Sequence, residues 1–257
     1  MHTSYSFDRA ADFYDQTRDL PEPVADAGIQ AILALAGPAA RILDVGTGTG
    51  RISVPLLLRG ADLIGCDLSL KMMALLRQKF PLSRLAQADA SRLPFPAGCF
   101  DALLTCHVMH LVGPWRQALG EYRRVLKPAG VYINAHTERL GESIRVQIRR
   151  FWEERVASSG PVPQRPGVRD DDELRAELVA MGAGLQKIEV VRFERLITPR
   201  EVIQRIADRT QSATWYIPDE QFDASIRALW QWAGGQFADL DQEYPEDAQF
   251  VLDVARF

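Results

Sequence analysis

Cysteine is scarce in this 257-residue chain: Cys66, Cys99 and Cys106 are the only three, and no two of them stand as C-x-x-C. An odd count without that spacing excludes a disulfide framework and a cysteine-built structural zinc site, and points to a reducing, cytoplasmic setting. Basic residues are not in excess. Thirty Lys and Arg against 34 Asp and Glu give a formal net charge of −4 and a pI near 5.7. No global positive field exists to hold a polyanion, so nucleic acid is not an expected partner. The N-terminus, Met1-His2-Thr3-Ser4-Tyr5, lacks the basic-then-apolar order of a signal peptide. No apolar run approaches the roughly 18 residues of a membrane span. There is no internal repeat and no low-complexity tract.

What is present is alternation. Short apolar runs at Arg41–Val45, 61–66, 100–105 and 131–135 are separated by helix-period segments, the βαβ pattern of a parallel sheet. Trp115, Leu119, Tyr122 and Leu126 mark one helix face, which Pro128 and Gly130 are expected to terminate. Asp170 to Glu173 supply the negative first turn of a further helix, with Gly182 placed to cap its end. Residues 187–196 and 250–257 read as late strands. The segments 138–169 and 198–247 carry the stripes Ile144, Ile148, Trp152, Val156 and Phe222, Ile226, Leu229, Ala233, and read as helical insertions that cap the sheet. Between 158 and 167 a Ser/Gly/Pro stretch reads as a flexible joint.

Chemistry concentrates in Asp44-Val45-Gly46-Thr47-Gly48-Thr49-Gly50, between a strand and a helix-compatible run. Alternating glycines there let the backbone turn sharply and approach a ligand, because no Cβ intervenes. An isolated G-x-G-x-G is equally an ordinary turn; Asp67, 23 residues beyond Asp44 and closing the next strand, adds a carboxylate able to accept both hydroxyls of a ribose. A dinucleotide fingerprint needs a third glycine where Arg51 stands, and Asp44 would face a pyrophosphate with like charge, whereas it suits a ligand carrying an ammonium group. Asp89 and its neighbouring backbone N–H are candidates for the edge of an adenine ring.

These pieces together resemble the class I S-adenosylmethionine-dependent methyltransferases, in particular the group that includes quinone-biosynthesis methyltransferases. The likeness is carried by LDVGTGTGR at 43–51, GCDLSLKMM at 65–73, ADASRLPFPAGCFDALLTCHVMHLV at 88–112 and RVLKPAGVYIN at 124–134. It implies an α/β fold: a doubly wound, mostly parallel seven-stranded sheet with helices on both faces, in one domain with the insertions as its cap. It implies S-adenosylmethionine as cofactor, with Asp44, Gly46, Thr47, Gly48 and Gly50 at the methionine portion. Asp67 would take the ribose, Asp89 and Ala90 the adenine, Leu68 and Met72 the flanks of the adenosine, and Cys106 and His107 the neighbourhood of the reacting methyl. Tyr14, and less directly Arg18, match a tyrosine-containing N-terminal segment of some relatives, while His110 matches a histidine of structural role.

A sulfonium methyl is already activated, so alignment of the acceptor is the protein's main task, worth roughly 7–11 kcal/mol in favourable cases. Where the acceptor must lose a proton, His107 or His136 is the candidate base. No metal is expected. The acceptor is a small molecule, aromatic or lipophilic if Trp152, Trp215, Tyr216, Trp230 and Trp232 line its pocket, although core packing explains those residues equally. Arg145, Arg149, Arg150 and Arg155, interleaved with Glu142, Glu153 and Glu154, read as a solvated face, with an acidic acceptor or structured RNA as the other reading. The alternatives to a methyltransferase are a dinucleotide-dependent oxidoreductase and a non-catalytic nucleoside-binding protein.

Overall fold

The structure is a computed structural model that describes residues 4, 6–11, 14–17, 20–161 and 166–257. In chain order the helices are α1 (Tyr14–Thr17), α2 (Glu22–Ala36), α3 (Ser53–Leu58), α4 (Leu70–Lys79), α5 (Trp115–Val125), α6 (Ile144–Ser159), α7 (Asp171–Ala180), α8 (Pro199–Ala207) and α9 (Asp219–Gln236). The strands are β1 (Arg41–Val45), β2 (Asp62–Asp67), β3 (Arg84–Gln87), β4 (Phe100–Cys106), β5 (Leu126–Arg139), β6 (Gly184–Ile197) and β7 (Tyr244–Arg256). They form one seven-stranded sheet in the order β3-β2-β1-β4-β5-β7-β6, parallel from β3 through β5.

Register places the site. Val45 lies opposite Cys66 on β2 and Thr105 on β4, so the loops after β1, β2 and β4 leave the sheet side by side. Strand order reverses between β1 and β4, and such a reversal opens a crevice at the carboxyl ends of the strands.

The chain forms two compact units. The first comprises Met1–Thr137, Arg165–Val191 and Phe250–Phe257; the second comprises Glu138–Gln164 and Arg192–Gln249. In the first, the stripe predicted on α5 is buried at Trp115, Leu119 and Tyr122, where it packs with Leu43, Leu103 and Tyr132 of the sheet. The second has its own core. Ile148, Trp152 and Val156 of α6, Val202, Ile203 and Ile206 of α8 and Phe222, Leu229 and Ala233 of α9 meet there. Helix starts are fixed locally: Asp170 accepts from Glu173 N at 2.8 Å before α7, and Thr198 and Glu201 cap α8 reciprocally.

Several boundaries differ from those expected. α5 stops at Val125, because the residue before Pro128 is pushed out of the helical region and the chain is already extended at Leu126. Residues 127–130 are accommodated as a bulge, with Leu126 opposite Phe100 but Val131 opposite Ala102. β3 was not foreseen: four residues, Arg-Leu-Ala-Gln, show too little apolar character to stand out. β7 begins at Tyr244, six residues before the apolar run. α6 continues to Ser159, and Val168 is buried with its N–H donating to Met109 O at 3.1 Å. No helix among the described residues is long and apolar enough to cross a membrane.

Candidate cofactor cleft

The first unit carries a cleft whose empty space, part of it open to solvent, is about 630 Å³. Its floor is Val45, Gly46 and Gly48 of the loop after β1, and Asp67, Leu68 and Met72 form one wall. Ala88, Asp89 and Ala90 continue that wall after β3. Opposite stand Cys106, His107, Val108, Leu111 and Val112 after β4, while Ser4, Phe7 and Tyr14 approach from the N-terminal segment.

The loop owes its shape to glycine. Gly46 and Gly48 have φ of +75° and +55°, the left-handed region. A Cβ on Gly46 would lie 2.2 Å from Val108 Cγ2, so the floor meets the opposite wall only because that position lacks a side chain. Gly46 N and Thr47 N both donate to Cys66 O, at 2.8 and 3.0 Å, pinning the loop onto the end of β2.

Asp67 is shared between loops. Its Oδ2 accepts from Gly48 N at 2.9 Å and its Oδ1 from Ser69 N at 2.8 Å, while Ser69 Oγ caps α4 by accepting from Met72 N at 3.1 Å. Burial raises the Asp67 carboxyl above its ordinary value, against these backbone donors. A carboxylate has about four lone-pair sites, so two N–H donors leave capacity for ligand hydroxyls. Asp89 accepts from Ser91 N and Ser91 Oγ, both at Oδ1, at 2.8 and 2.7 Å.

Asp44, Thr47 and Gly50 do not line the cleft. Asp44 is buried beneath the floor and accepts from Ser53 Oγ at 2.5 Å, and Thr47 Oγ1 sits 2.6 Å from the same hydroxyl. Burial pushes Asp44 up to about 6, with Ser53 and Thr47 opposing. Gly50 faces Leu76 and Val54 of the core. Arg51, which at the sequence level served only to exclude a dinucleotide, donates from Nη2 to Cys106 Sγ at 3.1 Å and acts electrostatically on Asp44. Asp44 and Arg51 thus set opposite charges outside the cleft lining. Burial raises the Cys106 thiol despite Arg51, so Cys106 is a neutral wall residue rather than a thiolate nucleophile.

The two candidate histidines are separated. His107 is on the cleft wall with φ +57°, unusual for a residue other than glycine. His136 is buried within β5 with Nδ1 3.6 Å from Asp253 and Nε2 3.5 Å from Asp171, outside the cleft lining. Arg175 Nε holds the same Asp253 at 2.8 Å. His110 contributes its backbone carbonyl, which accepts from Gly167 N at 3.3 Å.

Sequence reasoning missed Phe7, Val108, Leu111 and Val112, apolar wall residues with no motif of their own. Phe7 meets Tyr14 edge to face with ring centroids 5.9 Å apart. Asp8 accepts from Ser69 Oγ at 2.6 Å, and Asp15 receives Thr49 Oγ1 at 2.5 Å and Lys79 Nζ at 2.6 Å. These bonds tie the segment carrying Tyr14 to the glycine loop. Arg18 lies outside the described residues.

Comparison with known proteins agrees with this geometry. Residues 43–134, the span that builds the cleft floor and both walls, match the methyltransferase domain family. An uncharacterized methyltransferase of Mycobacterium tuberculosis is 31% identical over 216 residues, covering 82% of this chain and 79% of the relative. The chain belongs to the methyltransferase family. A demethylmenaquinone methyltransferase of Thermus thermophilus is 40% identical over 104 residues, 38% of this chain and 47% of that protein. Among solved structures, the YcgJ protein of Bacillus subtilis superposes with a TM-score of 0.59 at 19% identity, over 91% of this chain and 98% of that one, a likeness of fold. The methyltransferase is thus of the class I, S-adenosylmethionine-dependent kind, with the mostly parallel seven-stranded sheet expected of it.

Proposed function

We propose that the methyltransferase holds S-adenosylmethionine in this cleft and transfers its methyl to a small-molecule acceptor. The observation that carries the assignment is the donor and acceptor set of one continuous cleft. Asp67 stands at the end of β2 for two ribose hydroxyls, and Asp89 with Ala90 one strand further for the adenine edge. Leu68 and Met72 supply apolar contact for the rings. Asp44 and Arg51 lie outside the cleft lining, Asp44 beneath its floor, and would act on the ammonium and carboxylate of an amino-acid terminus through charge rather than by direct lining. Bound there, the cofactor supplies a sulfonium-activated methyl. The chain's own part is to align the acceptor and exclude water, with Val108, Leu111 and Val112 forming the dry wall.

This assignment makes cofactor affinity proton-linked. Below about pH 6 Asp44 is protonated in the free protein and offers no charge to the ammonium. Calorimetry with S-adenosylhomocysteine should show constant affinity from pH 7 to 8 and a loss approaching tenfold per unit as pH falls below 6, bounded by the residual affinity of the protonated form. For the fold alone the direction is opposite: folding favours protonated Asp44, so its contribution to stability is fully present below the ordinary carboxylate range and lost as pH rises through about 6. Affinity independent of pH between 5 and 7 would remove Asp44 from the amino-acid end.

Of the two histidines, His107 lines the cleft, and we assign it the proton of an acceptor that must lose one. Asn tolerates left-handed backbone, so His107→Asn should fold. With an acceptor found from a panel of hydroxyl, amine and carbon nucleophiles, it should lower kcat by about a hundredfold and abolish the acidic limb of the pH profile. Cofactor KM should hardly move. A fall of less than about threefold, with the limb intact, means that no side chain at this position takes the proton.

The second unit is assigned to acceptor selection, because the family match ends at residue 134, before it begins. Its tryptophans do not argue for an aromatic acceptor. Trp152 is buried and donates to Ser225 Oγ at 3.0 Å, Trp215 donates to Arg209 O at 2.7 Å, and Trp232 stacks on Phe151 at 4.5 Å, all within the unit's own packing.

A further inference from the structure

Arg150, Arg155, Glu142, Glu153 and Glu154 form the solvated face that the sequence suggests, but Arg145 of α6 departs from it. Arg145 keeps only 5% of its side chain exposed, and the carboxylate it meets is Glu246 of β7, itself fully buried. Two further arginines converge there. Arg145 Nε donates to Glu246 Oε1 at 2.8 Å, Arg139 Nε lies 3.6 Å from that oxygen, and Arg195 Nε donates to Oε2 at 2.6 Å. Ser143 Oγ adds a bond to Oε1 at 3.2 Å.

Charge does not balance. Among the described residues Glu246 is the carboxylate paired with Arg139, Arg145 and Arg195, leaving an excess of two positive charges. Arg205 of α8 and Arg149 add repulsion, and Arg149 is answered by Glu153 at 3.1 Å. Burial lowers Arg145, while Arg145 and Arg195 hold Glu246 below the ordinary range despite its burial. Arg195 meets Glu246 through both Nε and Nη2, whereas Arg145 bonds it through Nε and Arg139 stands 3.6 Å away; guanidinium presents five donors, so Arg139 and Arg145 keep N–H groups for a planar or tetrahedral oxyanion. Arg139, with 41% of its side chain exposed, opens it to solvent.

We propose that Arg139, Arg145 and Arg195 form an anion-binding site in the second unit, taking the carboxylate or phosphate of a small-molecule ligand. The site stands on the geometry of this unit alone. Only its further meaning, that the methyl acceptor is held by an acid group, rests on the function proposed above.

The test is calorimetry on the intact protein with malonate and with inorganic pyrophosphate, each against sodium chloride at equal ionic strength. Saturable binding of at least one probe is expected, weakened at least tenfold in Arg139→Gln. Arg150→Gln, which removes an exposed cation paired with Glu142 outside the cluster, should bind as the wild type does. The two probes distinguish a carboxylate from a phosphate source. Should Arg139→Gln fail to fold by circular dichroism, Arg195→Gln carries the same expectation. Binding no stronger than chloride, undiminished binding in the cluster variant, or an equal loss in Arg150→Gln overturns the site. S-adenosylhomocysteine titrated into the same wild-type sample reports on the cofactor cleft separately, so failure of that reading is told apart from failure of this one.

Discussion

Replacing Glu246 by Ala should lower the stability of the protein by about 3–5 kcal/mol, the usual cost of removing one partner from a buried ion pair. Glu246 is fully buried and answers three arginines, of which Arg145 is nearly as buried. Without the carboxylate, Arg145 is left with an uncompensated charge, and Arg139 and Arg195 repel it at close range. Glu246→Gln keeps the volume and some hydrogen bonding but not the charge, so it should fall between the wild type and Ala. Urea unfolding followed by tryptophan fluorescence is the suitable readout, since Trp152, Trp215, Trp230 and Trp232 all lie in the second unit. A change below about 1 kcal/mol, the range of an exposed pair, would mean that water reaches the cluster freely.

Asp67→Ala should weaken S-adenosylhomocysteine binding by about 1.5–3 kcal/mol, the worth of hydrogen bonds to a charged group, or roughly 10- to 150-fold in Kd. The structure adds a second consequence. Asp67 also receives Gly48 N and Ser69 N, so the same substitution releases two backbone donors that shape the glycine loop and the start of α4. Asp67→Asn keeps one side-chain oxygen and the size of the residue, and its loss of affinity should be smaller. Calorimetry on variants shown to be folded separates the effects: loss of affinity with an unchanged melting temperature assigns Asp67 to the ligand, whereas a lowered melting temperature with normal affinity confines it to the loop.

What the sequence made legible has a common physical character. Asp67 and the glycine loop could be read because strand ends and left-handed turns leave local marks, an apolar run followed by residues chosen for backbone geometry. The α5 stripe was legible because helical period is local too. By their place in the motif Asp44 and Gly50 read as ligand residues. Yet the structure turns Gly50 into the core and puts Asp44 beneath the floor, a difference of a few ångströms that no motif encodes. Val108, Leu111 and Val112 carried no signal, since an apolar residue facing a cleft and one facing the core look alike. Arg145 reads as solvated for a similar reason: its partner Glu246 lies 101 residues away, and periodicity sees only neighbours on one helix.

The measurement that bears most directly on the cofactor cleft is a crystal structure of the protein with S-adenosylhomocysteine. Its adenine should lie beside Asp89 and Ala90, both ribose hydroxyls within hydrogen-bond distance of Asp67, and the sulfur toward Cys106 and His107, with the ammonium on the Asp44 side of the glycine loop. Ligand density elsewhere on the chain, or a ribose that leaves Asp67 bonded only to Gly48 and Ser69, would contradict the assignment.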